Sequence, residues 1–247
     1  MEQRLTGKTA LVTGGSRGIG AAIAKRLAAD GAAVALTYAS SPAKADEVVQ
    51  EIEAAGGKAL AILADSSDVE AVKHAVAETV RVLGSLDVLV NNAGIFMGGS
   101  IDDFSIENLD RMIAVNVRGL FVATQAAARH MGQGGRIIMI GSINSDLVPY
   151  AGASVYALTK GAVASFTRGA ARDLGLRGIT VNNIQPGPVD TDMNPADGPF
   201  AAGLMPLIAV GRYGKGEEVA SLVSFLAGPE AAFITGASLK VDGGTTA

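Results

Sequence analysis

Thr9-Ala10-Leu11-Val12-Thr13 runs directly into Gly14-Gly15-Ser16-Arg17-Gly18-Ile19-Gly20, and an amphipathic stretch, Ile19–Asp30, begins before the glycines end. A short apolar run, a glycine-rich turn and a 3.6-residue periodicity read as strand, tight turn and helix. Glycine lets such a turn close tightly and lets the backbone approach a ligand. The unpaired N–H groups and dipole of the helix start then favour a pyrophosphate or similar anion. The alternative for this segment alone is a purely structural turn between strand and helix.

The same alternation continues along the chain. Apolar runs at Ala33–Thr37, Ala59–Leu63, Val88–Val90, Arg136–Ile140, Thr180–Ile184 and Ser238–Val241 are separated by helical patterns at Ala43–Ala55, Val69–Leu83, Ile106–Met131, Val155–Leu174 and Glu217–Leu226. All but one of the runs lack two-residue alternation, as strands covered on both faces do. Seven strands alternating with helices predict an α/β, Rossmann-type doubly wound parallel sheet in one domain spanning residues 1–247. Gly31, Gly56, Gly84 and Gly175 are expected left-handed helix ends. The irregular stretch Pro186–Pro206, with five prolines, follows the sixth strand at the ligand-binding edge of the sheet, and residues 193–210 are expected to form a substrate lid.

Composition narrows the function. Of 247 residues 49% are hydrophobic and 18% charged, which excludes a disordered chain. Glycine, at 32 residues, is nearly twice its usual share of about 7%. A net charge of −4 argues against nucleic-acid polymers and a polybasic membrane anchor. No apolar run approaches the length of a membrane span. The absence of cysteine removes thiolate chemistry and fits a cytoplasmic protein. His74 and His130 lie far apart without ligand-spaced carboxylates, so no metal site is expected.

Dinucleotide-binding folds that take NAD usually place an acid at the end of the second strand. Here Thr37-Tyr38-Ala39-Ser40-Ser41 offers hydroxyls instead, and no acid appears before Asp46. Tyr38, Ser40, Ser41 and Arg17 can all donate to a 2′-phosphate, which favours NADPH over NADH. Alternatively, the serines cap the next helix and Arg17 is a solvated cation.

Tyr156-Ala157-Leu158-Thr159-Lys160 places a phenol and an ammonium one helical turn apart. A cation about 6 Å from a phenolate, at an effective dielectric near 20, stabilises it by about 3 kcal/mol, or about two pKa units. Tyr156 would then serve as a general acid in reduction and a base in oxidation. Ser142 follows the fifth strand, where its hydroxyl can polarise a carbonyl. Asn91-Asn92-Ala93-Gly94 ends the fourth strand, and Asn116 sits in an apolar helical context where its amide needs a partner.

Taken in order, Thr13–Gly20, Asn91–Gly94, Asn116, Ser142, Tyr156, Lys160, Pro186-Gly187 and Val241-Asp242-Gly243-Gly244 resemble the short-chain dehydrogenase/reductase family over essentially the whole chain. The resemblance is nearest to 3-oxoacyl-carrier-protein reductases and related NADPH-dependent ketoreductases. It implies that Tyr156 donates the proton, Ser142 orients substrate, Lys160 binds the nicotinamide ribose and lowers the tyrosine pKa, and Asn116 holds a relay water. It also implies that Gly14, Ser16, Arg17, Gly18 and Ile19 hold the phosphates, that Asp65 and Ser66 flank the adenine, and that Asn92, Ala93 and Gly94 flank the adenosine ribose. Pro186, Gly187, Val189 and Thr191 would lie on the nicotinamide side. Fold position further nominates Ile143, Asn144, Leu147, Tyr150 and Met193 for the substrate, a small-molecule ketone or acyl thioester. Family members are commonly tetramers built on the two long helices equivalent to Ile106–Met131 and Val155–Leu174. The proline-rich segment and Gly141-Ser142-Ile143-Asn144-Ser145-Asp146 are also similar to a subgroup containing a cyclic-di-GMP-binding biofilm dispersal protein, so a nucleotide-binding regulator is the alternative function.

Overall fold

The computed structural model describes residues 3–247. Seven parallel strands form one sheet in the order β3-β2-β1-β4-β5-β6-β7. They are β1 (Thr9–Val12), β2 (Ala33–Tyr38), β3 (Lys58–Leu63), β4 (Val88–Asn91), β5 (Arg136–Ile140), β6 (Thr180–Pro186) and β7 (Ser238–Val241). The order reverses between β1 and β4, and the crevice beyond the strand ends at such a switch point is where open α/β sheets bind ligands.

Side chains alternate between two cores. Ala10, Val12, Val34 and Leu36 face one layer, built with helices α1 (Gly18–Ala29), α2 (Pro42–Ala54) and α8 (Gly216–Ala227). Leu11, Ala35, Leu89 and Ile137 face the other, which includes α3 (Val69–Leu83), α5 (Leu120–Ala128) and α6 (Ser154–Gly175). Full burial on both sides explains the continuous apolar runs of the central strands. The edges differ: Lys58 and Leu63 of β3 and Ser238 and Lys240 of β7 are exposed. In β6 the buried polar residues are paired sideways. Asn182 Nδ2 donates to the Ile234 carbonyl at 2.7 Å, and Asn183 Nδ2 donates to Ser238 Oγ at 3.0 Å.

Two local expectations are corrected. The helix expected over Ile106–Met131 is interrupted: α4 (Ile106–Ile113) passes into a π-helical segment, Ala114–Gly119, before α5. Gly119 there lies so close to the Ser66 carbonyl that a Cβ would meet it at 2.1 Å, and Asn116 is bonded to the loop after β4. Widening the turn accommodates both contacts. The second correction concerns Gly175, which ends α6 in helical conformation; the left-handed turn falls at Gly178, with φ +71°. Gly84, by contrast, caps α3 at φ +92°.

The Pro186–Pro206 stretch is irregular only in part. It contains a short helix, α7 (Ala201–Leu204), and a 3₁₀ turn at Met205–Leu207. Ala201, Leu204, Ile208 and Tyr213 form a small core of their own, against which Tyr150 packs.

Candidate active site

The β1–α1 turn is fixed from three sides. Gly14 N–H donates to Thr37 Oγ1 at 3.0 Å. Asn92 Nδ2 donates to the carbonyls of Thr13 and Gly14 at 3.0 and 2.9 Å. Thr13 Oγ1 accepts the N–H groups of Asn92 and Ala93. Gly14 has φ +64° and Gly18 φ +53°, a region that glycine enters without a Cβ clash. The first intrahelical bond of α1 comes from Ala21 to the Arg17 carbonyl, so the N–H groups of Gly18, Ile19 and Gly20 precede it and face the crevice end of the helix.

One cavity of about 540 Å³ extends from this turn, past Asn92, Ala93 and Gly94, to Ser142, Tyr156 and Lys160. Its wall also includes Ser16, Arg17, Tyr38, Ser40, Ser41, Asp65, Ser66, Pro186, Gly187, Val189 and Thr191. Ile143, Asn144, Tyr150 and Met193 complete the set of sequence-nominated residues that line it. Asp65 contributes a carboxyl already engaged within the chain: burial pushes its pKa up, but hydrogen bonds from Ser67 and Arg111 prevail and hold it low. On the same wall Asp192 accepts from Lys44 at 3.0 Å and from Arg17 at 3.4 Å, and Lys44 chiefly holds its carboxyl below the usual range.

At the other end, Lys160 Nζ donates to the Ile140 carbonyl at 2.9 Å and lies 5.6 Å from the centre of the Tyr156 ring. The Tyr156 pKa is not lowered below its ordinary value, because burial outweighs what would lower it. Burial pushes the Tyr156 phenol up to about 12, opposed only partly by the Ser142 hydroxyl, and burial pushes the Lys160 ammonium down to about 8. Lys160 is buried and Tyr156 is half-buried in the cavity wall, and removing water disfavours whichever form is charged. The phenol is therefore held protonated, as a proton donor must be.

Ser142 is itself positioned. Its Oγ donates to Asn144 Oδ1 at 3.1 Å and accepts the Asn144 N–H at 3.1 Å. Asn144 Nδ2 is buried without a hydrogen-bond partner of normal geometry and faces the Tyr150 phenol.

Two nominated residues are placed elsewhere. Asn116 lies behind the cavity wall rather than in it. Its Oδ1 accepts from the Ile95 N–H at 2.9 Å, and its Nδ2 donates to the Ile95 carbonyl at 2.9 Å and to Thr159 Oγ1 at 3.2 Å. Its side-chain amide thus clamps the β4 loop to α6. Leu147 follows the 3₁₀ turn Ile143–Ser145, which directs it outward, and it is exposed.

The sequence reading did not single out Thr37, Arg111 or Phe96, although all three line the cavity, as does Phe200 of the segment expected to form the lid. Phe96 meets Tyr156 edge-on at 5.3 Å between ring centres and Phe200 at 6.3 Å, and Phe200 stacks on Tyr150 at 5.9 Å. An aromatic two residues beyond Gly94, at the ligand edge of the sheet, was the available signal for Phe96.

Comparison with known proteins agrees with this architecture. Residues 14–246 match the family model described as enoyl-(acyl carrier protein) reductase. The chain is 48% identical to the cyclic-di-GMP-binding biofilm dispersal mediator protein of Escherichia coli, over 96% of this chain and 97% of that protein. It is 43% identical to versicolorin reductase 1 of Aspergillus parasiticus, over 98% and 97% of the two chains. A short-chain dehydrogenase of Burkholderia cenocepacia, solved in complex with NADP, superimposes with a TM-score of 0.97 at 56% identity, covering 99% of this chain and all of that one. With sheet order, glycine turn and Ser142, Tyr156 and Lys160 in one cavity, the chain belongs to the short-chain dehydrogenase/reductase family.

Proposed function

We propose that this protein is an NADPH-dependent carbonyl reductase that converts a ketone into a secondary alcohol. The observation that carries the reading is the single cavity joining the glycine turn to Tyr156. The cofactor fits the residues present: the α1 N–H groups face a pyrophosphate, and a Cβ on Gly20 would meet the Gly14 carbonyl oxygen at 2.3 Å, so this close packing requires glycine. Arg17, Tyr38, Ser40 and Ser41 would hold the 2′-phosphate, Asp65 and Ser66 would border the adenine, and Asn92 to Gly94 the adenosine ribose. Pro186, Gly187, Val189 and Thr191 form the nicotinamide wall.

When bound, the reduced nicotinamide supplies a hydride to the carbonyl carbon. Tyr156 gives its phenolic proton to the carbonyl oxygen. Ser142 holds that oxygen, with Asn144 fixing the serine hydroxyl from behind. Lys160 binds the nicotinamide ribose and stabilises the phenolate left after transfer. Asn116 keeps the β4 loop in register with α6. Phe96, Ile143, Tyr150, Met193 and Phe200 give the substrate end an apolar, aromatic lining, which suits a neutral ketone, a 3-oxoacyl thioester among them. Residues 193–210, with their own small core, act as its lid.

Tyr156→Phe is expected to abolish NADPH oxidation on a ketone panel that includes an acetoacetyl thioester, with NADPH affinity nearly unchanged. Retained turnover would sink the assignment. The relative in Escherichia coli supports a second reading, a cyclic-di-GMP-binding regulator on the same fold. NADPH binding without turnover on any ketone, together with calorimetric heat for cyclic-di-GMP, would favour it.

The assembly is proposed to be a cytoplasmic homotetramer. Phe121 and Phe166 meet at 5.7 Å beside an apolar groove lined by Ile113, Val117, Leu120 and Val163 of the two helical segments. Sedimentation of one species at about four times the 24.9 kDa chain mass is the expected result, and a monomer would refute it.

A further inference from the structure

The adenosine end of the cavity contains an internal anion. Asp192 belongs to the segment that follows β6, yet its Oδ2 reaches across to Arg17, immediately before α1, and to Lys44, the third residue of α2. One carboxylate oxygen thus joins two cations from separate elements, on the cavity wall that also carries Ser40 and Ser41. Their hydroxyls make no hydrogen bond within the described residues. All three charged side chains are half-exposed or more, at 56% for Asp192, 60% for Arg17 and 50% for Lys44, so the cluster is open to an incoming ligand.

We propose that Asp192 is a built-in competitor of the cofactor's 2′-phosphate, a specificity-determining residue that occupies Arg17 and Lys44 until a phosphorylated ribose displaces it. The inference rests on the NADPH reading above and adds Lys44 to the phosphate seat. Two arguments carry it. A dianionic phosphate and a carboxylate need the same donors and cannot share them without like-charge repulsion. A ligand that must first break an internal contact binds more weakly by the stability of that contact. Ribose without the phosphate leaves the Asp192 contacts intact, so the competition falls on NADPH and spares NADH.

Exposed ion pairs each shift an equilibrium by up to about fivefold, which sets the expected size. In fluorescence titrations of the full chain, Asp192→Asn should tighten NADPH binding about three- to tenfold and change NADH binding less than twofold. Lys44→Gln should weaken NADPH alone. Unchanged or weaker NADPH binding in Asp192→Asn would overturn the proposal, as would equal tightening of both cofactors. Wild-type protein that binds NADH as tightly as NADPH would refute the phosphate seat itself, and the proposal with it. Wild-type discrimination that survives unaltered in Asp192→Asn would refute the Asp192 proposal alone.

Discussion

The two ends of the cavity are made of different material. The phosphate end is built mainly from backbone: a turn whose glycines take φ +64° and +53°, the first N–H groups of α1, and an Asn92 amide bonded to two carbonyls. The substrate end is built from side chains of loops and of the start of α6 that pack against one another, with Phe96, Tyr150, Tyr156 and Phe200 in a chain of ring contacts. A backbone site tolerates almost no added volume, whereas a site of packed rings can be resized one side chain at a time. The first recognises a group shared by every dinucleotide, and the second can define an individual substrate.

The largest effect should follow from breaking the backbone end. In Gly20→Ala the new Cβ would meet the Gly14 carbonyl at 2.3 Å and Asn92 Nδ2 at 2.5 Å; the first is backbone, and the second is held in place by hydrogen bonds to two carbonyls. The turn must open, at a cost of about 3 kcal/mol, and NADPH affinity should fall at least a hundredfold. Phe200→Ala offers the opposite test. It removes a half-exposed ring from the 193–210 segment, so the fold and NADPH affinity should hold while the ranking of ketones changes by about tenfold, bulkier ones gaining. Comparable loss of cofactor binding in both variants would erase the distinction between the two ends.

The same difference explains what was legible in the sequence. Glycine spacing after an apolar run fixes a backbone shape locally, so β1, the phosphate turn and the parallel sheet could be placed to within a residue or two. Tyr156 and Lys160 were legible because one helical turn fixes their relation. Asn116 was harder: its residue type announced a buried amide that needs partners, but those partners, Ile95 and Thr159, come from other elements and could not be named from the sequence. Leu147 was placed by fold position, and one 3₁₀ turn directed it outward. Arg111 gave no local signal, because it reaches the cavity only through the packing of α4, whereas Phe200 fell within the expected lid without being distinguishable from its neighbours. The interrupted helix at Ala114–Gly119 was illegible for a related reason, since its apolar periodicity continues through a π segment set by contact with Ser66.

Lys160 stands where the two ends meet, and it yields the smallest and most discriminating prediction. Its folded-state pKa, down at about 8 from 10.5, means that the unfolded chain binds more protons between those values, so stability rises with pH across that window and the burial penalty is complete below about 8. Tyr156 acts with the opposite sign: its raised value, about 12, contributes stability that is fully present below pH 10 and is lost as pH rises through 12. The lysine shift corresponds to at most about 3 kcal/mol. Lys160→Met removes that penalty but leaves the Ile140 carbonyl without its donor, which costs about 1–2 kcal/mol. Urea unfolding should therefore find the variant more stable than wild type by about 1 kcal/mol at pH 7 and no more stable than wild type at pH 9.5, while turnover is lost at both. A variant less stable at pH 7 would mean that the buried ammonium is no burden to the fold. The charge at this position would then need no functional justification. Stability gained as turnover vanishes would show instead that the fold carries a strained cation for the chemistry at Tyr156.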